Sequence, residues 1–328
     1  MWTESTALRG GSELRAVTAI SRNNVWTVGS FATTGPLAEH FNGTSWSAFD
    51  LPDPNKRTGS ELNAVSASSA NDVWAVGWIG PHTHTLIEHF NGKAWRVAPS
   101  LQTPGTKLMG VAAVTRRNAW AVGALAVKTK NSRPLIEHWN GSSWRRVPSP
   151  DPRGPEDELL AISARSPRDI WAVGDHRAGN HTRTLVLHWD GRRWKQVPSP
   201  SPAAEDSSLW GVTVVGAKDA WAVGVGGNRS LAEHWNGHAW RVVSVRSPAG
   251  STANSLLAVS GSSPTDVWAA GQDGYGAAAR GLVEHWDGHA WSYSRTGAAG
   301  YVNLSGIAAP SASDVWAVGA RTPLVGLR

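Results

Sequence analysis

Side chains able to do acid–base work gather in two stretches of this 328-residue chain. "WIGPHTHT" carries His82 and His84, and "DHRAGNHTRT" carries Asp175, His176 and His181. Imidazole close to carboxylate is the pairing that general acid–base catalysis uses, so these five are the candidate catalytic residues. His82 and His84, one residue apart on an extended chain, point to the same side and could share a metal. No third ligand accompanies them, and no metal or other cofactor is expected. A second set suits binding: Phe31, Trp78, Trp210 and Tyr275 offer aromatic faces, while Lys128, Arg133, Arg177, Arg183 and Arg280 offer charge-assisted donors. Together they would fit a polyhydroxy or anionic ligand. No G-x-S-x-G, phosphate-loop or H-E-x-x-H motif is present.

These residues stand out because the rest of the chain repeats. "DVWAVG" and its variants occur seven times, with tryptophans at Trp26, Trp74, Trp120, Trp171, Trp221, Trp268 and Trp316. Twelve residues before each stands a leucine, from Leu14 to Leu304. A second unit, "EHFNGKAW" and relatives, occurs six times, with a histidine six residues before a tryptophan, as in His89 and Trp95. A period near fifty residues overrides local structure readings.

Each unit reads as a hairpin. The leucine unit runs strand, Ser/Asn/Asp turn, strand, and the histidine unit is centred on Asn-Gly or Asp-Gly. Four antiparallel strands per repeat make a propeller blade, and no segment shows a helical apolar period. The expected fold is an all-β, seven-bladed β-propeller forming a single domain over 1–328. Its blades span 14–61, 62–107, 108–158, 159–208, 209–255, 256–303, and 304–328 with 1–13. The last blade lacks its histidine unit, and Trp2, twelve residues before Leu14, has the phase of the missing tryptophan. The N-terminal strand is therefore expected to complete the last blade and close the ring, leaving no free sheet edge.

Eighteen of the twenty tryptophans are in phase with the repeat and are assigned to packing between blades; Trp78 and Trp210 are the exceptions. The repeated Glu-His pair is read as structural, with the glutamate of one blade meeting the histidine of the next.

Constant turns join strands one to two and three to four, whereas the other two connections vary in length. In an antiparallel blade the variable connections share one face, which is where function is expected. Two classes remain. One is a ligand- or partner-binding propeller, lectin-like, for a small molecule or glycan. The alternative is an enzyme of hydrolase, lyase or cyclase type with one asymmetric pocket near blades two to four. The net charge of +6 falls largely on outer strands, where charge and proline guard against edge pairing; no nucleic-acid partner is expected. A monomer without a membrane span is expected, cytoplasmic as written or secreted if a leader has been removed. The absence of cysteine leaves the redox compartment open.

"VSASSANDVWAVG" followed by "LIEHFNGKAW" resembles bacterial propeller repeats of the BNR/Asp-box and photosystem II assembly-factor type, and more distantly kelch repeats. The resemblance covers nearly the whole chain and implies the propeller fold. The activities it implies range over sialidases, oxidases, assembly factors and lectins. A galactose-oxidase-like copper site is excluded by the missing cysteine.

Overall fold

In the computed structural model the described residues are 2–5, 12–31, 35–54, 59–80, 84–101, 103–128, 131–202, 205–274, 279–295, 303–320 and 324–327; the backbone alone is described for 3–5, 127–128, 294–295 and 324–327. Strands account for the regular structure. The first hairpins give β1 (Trp2–Ser5), β2 (Ser12–Ser21), β3 (Asn24–Phe31), β4 (Gly35–Phe41) and β5 (Trp46–Phe49). Next come β6 (Ser60–Ser69), β7 (Asp72–Ile79), β8 (His84–Phe90) and β9 (Trp95–Val97), then β10 (Thr106–Thr115), β11 (Asn118–Lys128), β12 (Asn131–Trp139) and β13 (Trp144–Arg146). They are followed by β14 (Glu158–Ser166), β15 (Asp169–Ala178), β16 (His181–Trp189) and β17 (Trp194–Gln196), and by β18 (Ser207–Gly216), β19 (Asp219–Gly226), β20 (Arg229–Trp235) and β21 (Trp240–Val242). The chain ends with β22 (Asn254–Ser263), β23 (Asp266–Asp273), β24 (Arg280–Trp286) and β25 (Trp291–Arg295), then β26 (Asn303–Ser311), β27 (Asp314–Ala320) and β28 (Leu324–Leu327).

The architecture is an all-β propeller with antiparallel four-strand units, but it has six blades, not the seven expected. Five sheets have four strands each, from β6–β9 through β22–β25, and the sixth has eight. What overturns the count is one backbone pair, Glu13↔Ala320, which joins β2 to β27 and fuses β2–β5 with the strands at the chain's end. A repeat reports units of sequence, and whether neighbouring units also hydrogen-bond edge to edge leaves no trace in it. Within the eight-stranded sheet β1 pairs antiparallel with β28, matching Trp2 to Leu327. Trp2 stands edge-on to Trp268 at 6.1 Å, the relation Trp291 has to Trp221 at 5.1 Å.

Two features of the repeat follow from backbone geometry. The register slips between Leu62 and Ala64 where β6 pairs with β7, and Leu62 lies opposite Gly77. A Cβ on Gly77 would sit 1.8 Å from the Glu61 carbonyl oxygen, so the bulge admits glycine alone. The Asn-Gly turn needs φ > 0, as at Gly92 with φ 91°, and Asn91 Oδ1 accepts the N–H groups of Lys93 and Ala94.

Sheets pack face to face through the in-phase tryptophans. Trp74 is 1% exposed; it lies 5.1 Å from Trp144 and 5.0 Å from Trp139 of the next sheet. Burying an indole removes about 150–250 Å² from water, roughly 4–6 kcal/mol gross at about 25 cal/mol per Å².

The Glu-His pairs are arranged differently from the expectation. Each histidine turns to its own sheet: His89 Nε2 lies 2.7 Å from Asp72 Oδ1 and its ring stacks on Trp74 at 4.0 Å. His188, His234 and His285 repeat this with Asp169, Asp219 and Asp266, while His40 and His138 meet Asn24 and Asn118. The glutamates point the other way, toward the segment that leaves the preceding sheet. Glu88 feels Asp53, Glu137 lies 3.5 Å from the Leu101 N–H, and Glu233 faces Ser199. Alternation along a strand separates the two side chains as expected, but the nearest partner of each is not the other.

Candidate functional site

The inner strands β2, β6, β10, β14, β18, β22 and β26 surround a central channel. The position two after the invariant leucine is small in each of them, Ala16, Ala64, Gly110, Ala161, Gly211, Ala258 and Gly306. A Cβ on Gly211 would lie 3.1 Å from Ala258 Cα, so neighbouring inner strands approach too closely for larger side chains.

At the end carrying the variable connections the channel opens into a cavity of about 380 Å³, lined by Arg15, Asn63, Lys107, Glu158, Asp175 and Trp210 among others. These are mostly residues one before or one after the invariant leucine, where the bulge turns them toward the axis. The mouth is polar and lopsided. Lys107 Nζ lies 2.6 Å from Glu158 Oε2, and Arg15 is ion-paired with Glu61. Asp175 lies opposite Glu158 across β14 and β15 and accepts a hydrogen bond from the Ser208 hydroxyl. Burial pushes its carboxyl up to about 6; the Ser208 hydroxyl and Lys107 pull it down, and Glu158 and Asp157 push it further up. Burial likewise raises Glu61, against the pull of Arg15. Trp210 supplies the aromatic wall, half-buried at the rim and reaching both the mouth and the channel.

Of the residues singled out in the sequence, the structure brings Asp175 and Trp210 to this mouth. His176, half-buried, has its pKa lowered by burial, and the Asp157 carboxylate opposes that shift. His181 Nδ1 lies 3.6 Å from Asp206 Oδ1, and Arg183 donates to the Glu205 carbonyl at 3.2 Å. Arg177 Nε donates to the Gly179 carbonyl, and Arg133 is ion-paired with Asp151. These four hold the rim's connecting segments to the sheets. Phe31 ends β3, Trp78 lies in β7 opposite Glu61, His84 opens β8, and Arg280 opens β24 opposite Asp273. None of them lines the mouth cavity. His82, Tyr275 and the side chain of Lys128 lie outside the described residues.

Sequence reasoning missed Arg15, Glu61, Lys107 and Glu158. The signal was there. The positions flanking the invariant leucine read Glu-Arg, Glu-Asn, Lys-Met, Glu-Leu, Ser-Trp, Ser-Leu and Asn-Ser, the most varied positions inside the most constant unit.

No protein-family model matches the sequence, and no curated protein matches it. Solved structures do. One titled YCF48 bound to D1 peptide aligns with TM-score 0.66 at 17% identity over 99% of this chain and 96% of its own. The WD40 propeller domain of Doa1 aligns at 0.62 and 13% identity over 99% of this chain and 96% of its own. The GH74 xyloglucanase from Xanthomonas campestris aligns at 0.62 and 14% identity over 99% of this chain and 55% of its own. The chain has the β-propeller fold. At such identities the likeness speaks for the fold alone. Among the described residues no helix is long and apolar enough to cross a membrane.

Proposed function

We propose that this propeller is a binding protein that takes a polyhydroxy ligand, lectin-like, at the mouth of its central channel. The observation that carries the reading is the mouth itself. Asp175 and Glu158 as acceptors, Lys107 and Asn63 as donors, and the indole of Trp210 converge on one cavity of about 380 Å³. Hydroxyl groups both donate and accept, so a sugar can satisfy carboxylates and cations together while its C–H face stacks on an indole. An anionic ligand is disfavoured, because Lys107 and Arg15 already face Glu158 and Glu61. Phe31, Trp78, Arg133, Arg177, Arg183 and Arg280 shape the rim around the mouth. Propellers of known structure include one solved with a bound peptide and one that is a xyloglucanase, and both binding and catalysis are within the fold's range.

One observation supports the enzymatic alternative. Asp175, its carboxyl raised by burial to about 6, lies across the strand pair from Glu158, and a carboxyl poised near neutral beside a second carboxyl group can serve in acid–base chemistry. A glycan-array screen separates the readings. Retained, unmodified ligands support binding, cleaved ligands support hydrolysis, and silence across neutral glycans removes the polyhydroxy assignment.

A further inference from the structure

The constant turns lie on the face opposite the mouth, and those of two neighbouring sheets carry six arginines. In each sheet the turn joining the first two strands abuts the turn joining the last two. A Cβ on Gly141 would lie 3.0 Å from Arg117 Cγ, and one on Gly191 2.7 Å from Arg168 Cγ. Two neighbouring sheets, β10–β13 and β14–β17, are joined where Trp189 packs 4.9 Å from Trp120, with its Nε1 donating to the Pro167 carbonyl. Arg116, Arg117, Arg165, Arg168, Arg192 and Arg193 thus share one surface, and all six are exposed.

The carboxylates there are occupied. Asp169 holds Arg165 at 3.0 Å and also His188. Asp190 accepts the backbone N–H groups of Arg192 and Arg193 and pairs with Lys195 at 2.7 Å. Five arginines remain outside any ion pair among the described residues, on rigid turns, although Arg116 also feels the Asp72 carboxylate of the preceding sheet. Guanidinium forks fit phosphate oxygens two at a time, and an array of them binds a polyphosphate backbone by releasing its counterions.

We propose that this turn face binds the phosphodiester backbone of duplex nucleic acid without reading its sequence. A single strand is disfavoured, because the indoles of Trp139 and Trp189 are packed against Trp74 and Trp120 and leave no free platform for unstacked bases. A bilayer is disfavoured because these turns carry no large apolar side chain to insert. The exposed ones, Val97, Val242 and Tyr293, lie on other sheets. The sequence places much of the charge on outer strands, and folding also brings arginines from the turns of two repeats onto one face.

Fluorescence anisotropy with a labelled 30-base-pair duplex of arbitrary sequence tests this. Five phosphate contacts predict that affinity falls roughly 500-fold between 50 and 200 mM salt. Arg116→Ser/Arg192→Ser/Arg193→Ser, folded by circular dichroism, is expected to bind more weakly and to lose only roughly 10-fold over the same interval. Arg229→Ser/Arg246→Ser, away from these turns, is expected to behave as the parent. The proposal is overturned if the parent fails to bind at 50 mM salt, if the triple variant keeps the parent's affinity and salt dependence, or if the parent binds phosphatidylserine vesicles but not the duplex.

Discussion

Glu88 is fully buried between sheets, and burial, with Asp53 nearby, pushes its carboxyl up to about 8. In the unfolded chain it titrates near 4.5. Below pH 4.5 both states carry the proton and the side chain adds no pH dependence. Between 4.5 and 8 the unfolded state ionises while the folded state stays neutral, so stability falls as pH rises, by about 1.4 kcal/mol per unit. From pH 5 to pH 7 this one group therefore costs roughly 3 kcal/mol. Glu88→Gln keeps the shape, removes the titration and should unfold at higher urea than the parent at pH 7, with the two converging at pH 5. Urea melts at both values, read by circular dichroism, decide it. A difference between parent and variant that does not change with pH, or a variant less stable at pH 7, would show that Glu88 is buried as a carboxylate and refute the reasoning.

Other substitutions probe the frame. Gly77→Ala drives a Cβ into the Glu61 carbonyl and should destabilise by roughly 3 kcal/mol or prevent folding, seen as a lowered Tm or insoluble protein; a silent Gly77→Ala would show the bulge to be adaptable. His89→Ala removes the Asp72 bond and the Trp74 stack and should cost about 2 kcal/mol in urea melts at pH 7. The folded Asp72 carboxyl titrates below its usual range, held there by His89 and Ser68 against its burial. Its stabilisation is present above pH 3.8 and lost as pH falls through the folded value, so the deficit of His89→Ala should shrink in acid. Trp2→Ala removes the edge contact with Trp268 and should lower stability by about 2 kcal/mol, most visibly as faster amide exchange in β28.

The four-strand units were legible because their causes are local. A leucine twelve residues before tryptophan fixes one hairpin, and the Asn-Gly that closes "LIEHFNG" fixes another. The blade count was not legible, since Glu13↔Ala320 joins strands 307 positions apart through backbone groups that carry no sequence signature. Trp78 illustrates a further limit. It breaks the repeat as Trp210 does, yet it follows Gly77 on a second strand, while Trp210 follows Leu209 on an inner strand and so reaches the channel. Departure from the repeat finds variable positions; only the radial position in the sheet says whether they meet at the axis. Arg15 and Lys107 escaped notice for the converse reason, being ordinary surface residue types at a privileged radius.

The central claim, that a polyhydroxy ligand seats at the channel mouth, is tested most directly by calorimetric titration of one glycan-array hit into three proteins. The account predicts that Trp210→Ala and Asp175→Asn each weaken binding by roughly 10-fold or more, about 1.4 kcal/mol, while Trp78→Ala stays within a few-fold of the parent. Unchanged affinity in both mouth variants, or a loss confined to Trp78→Ala, would contradict it and move the site to the rim.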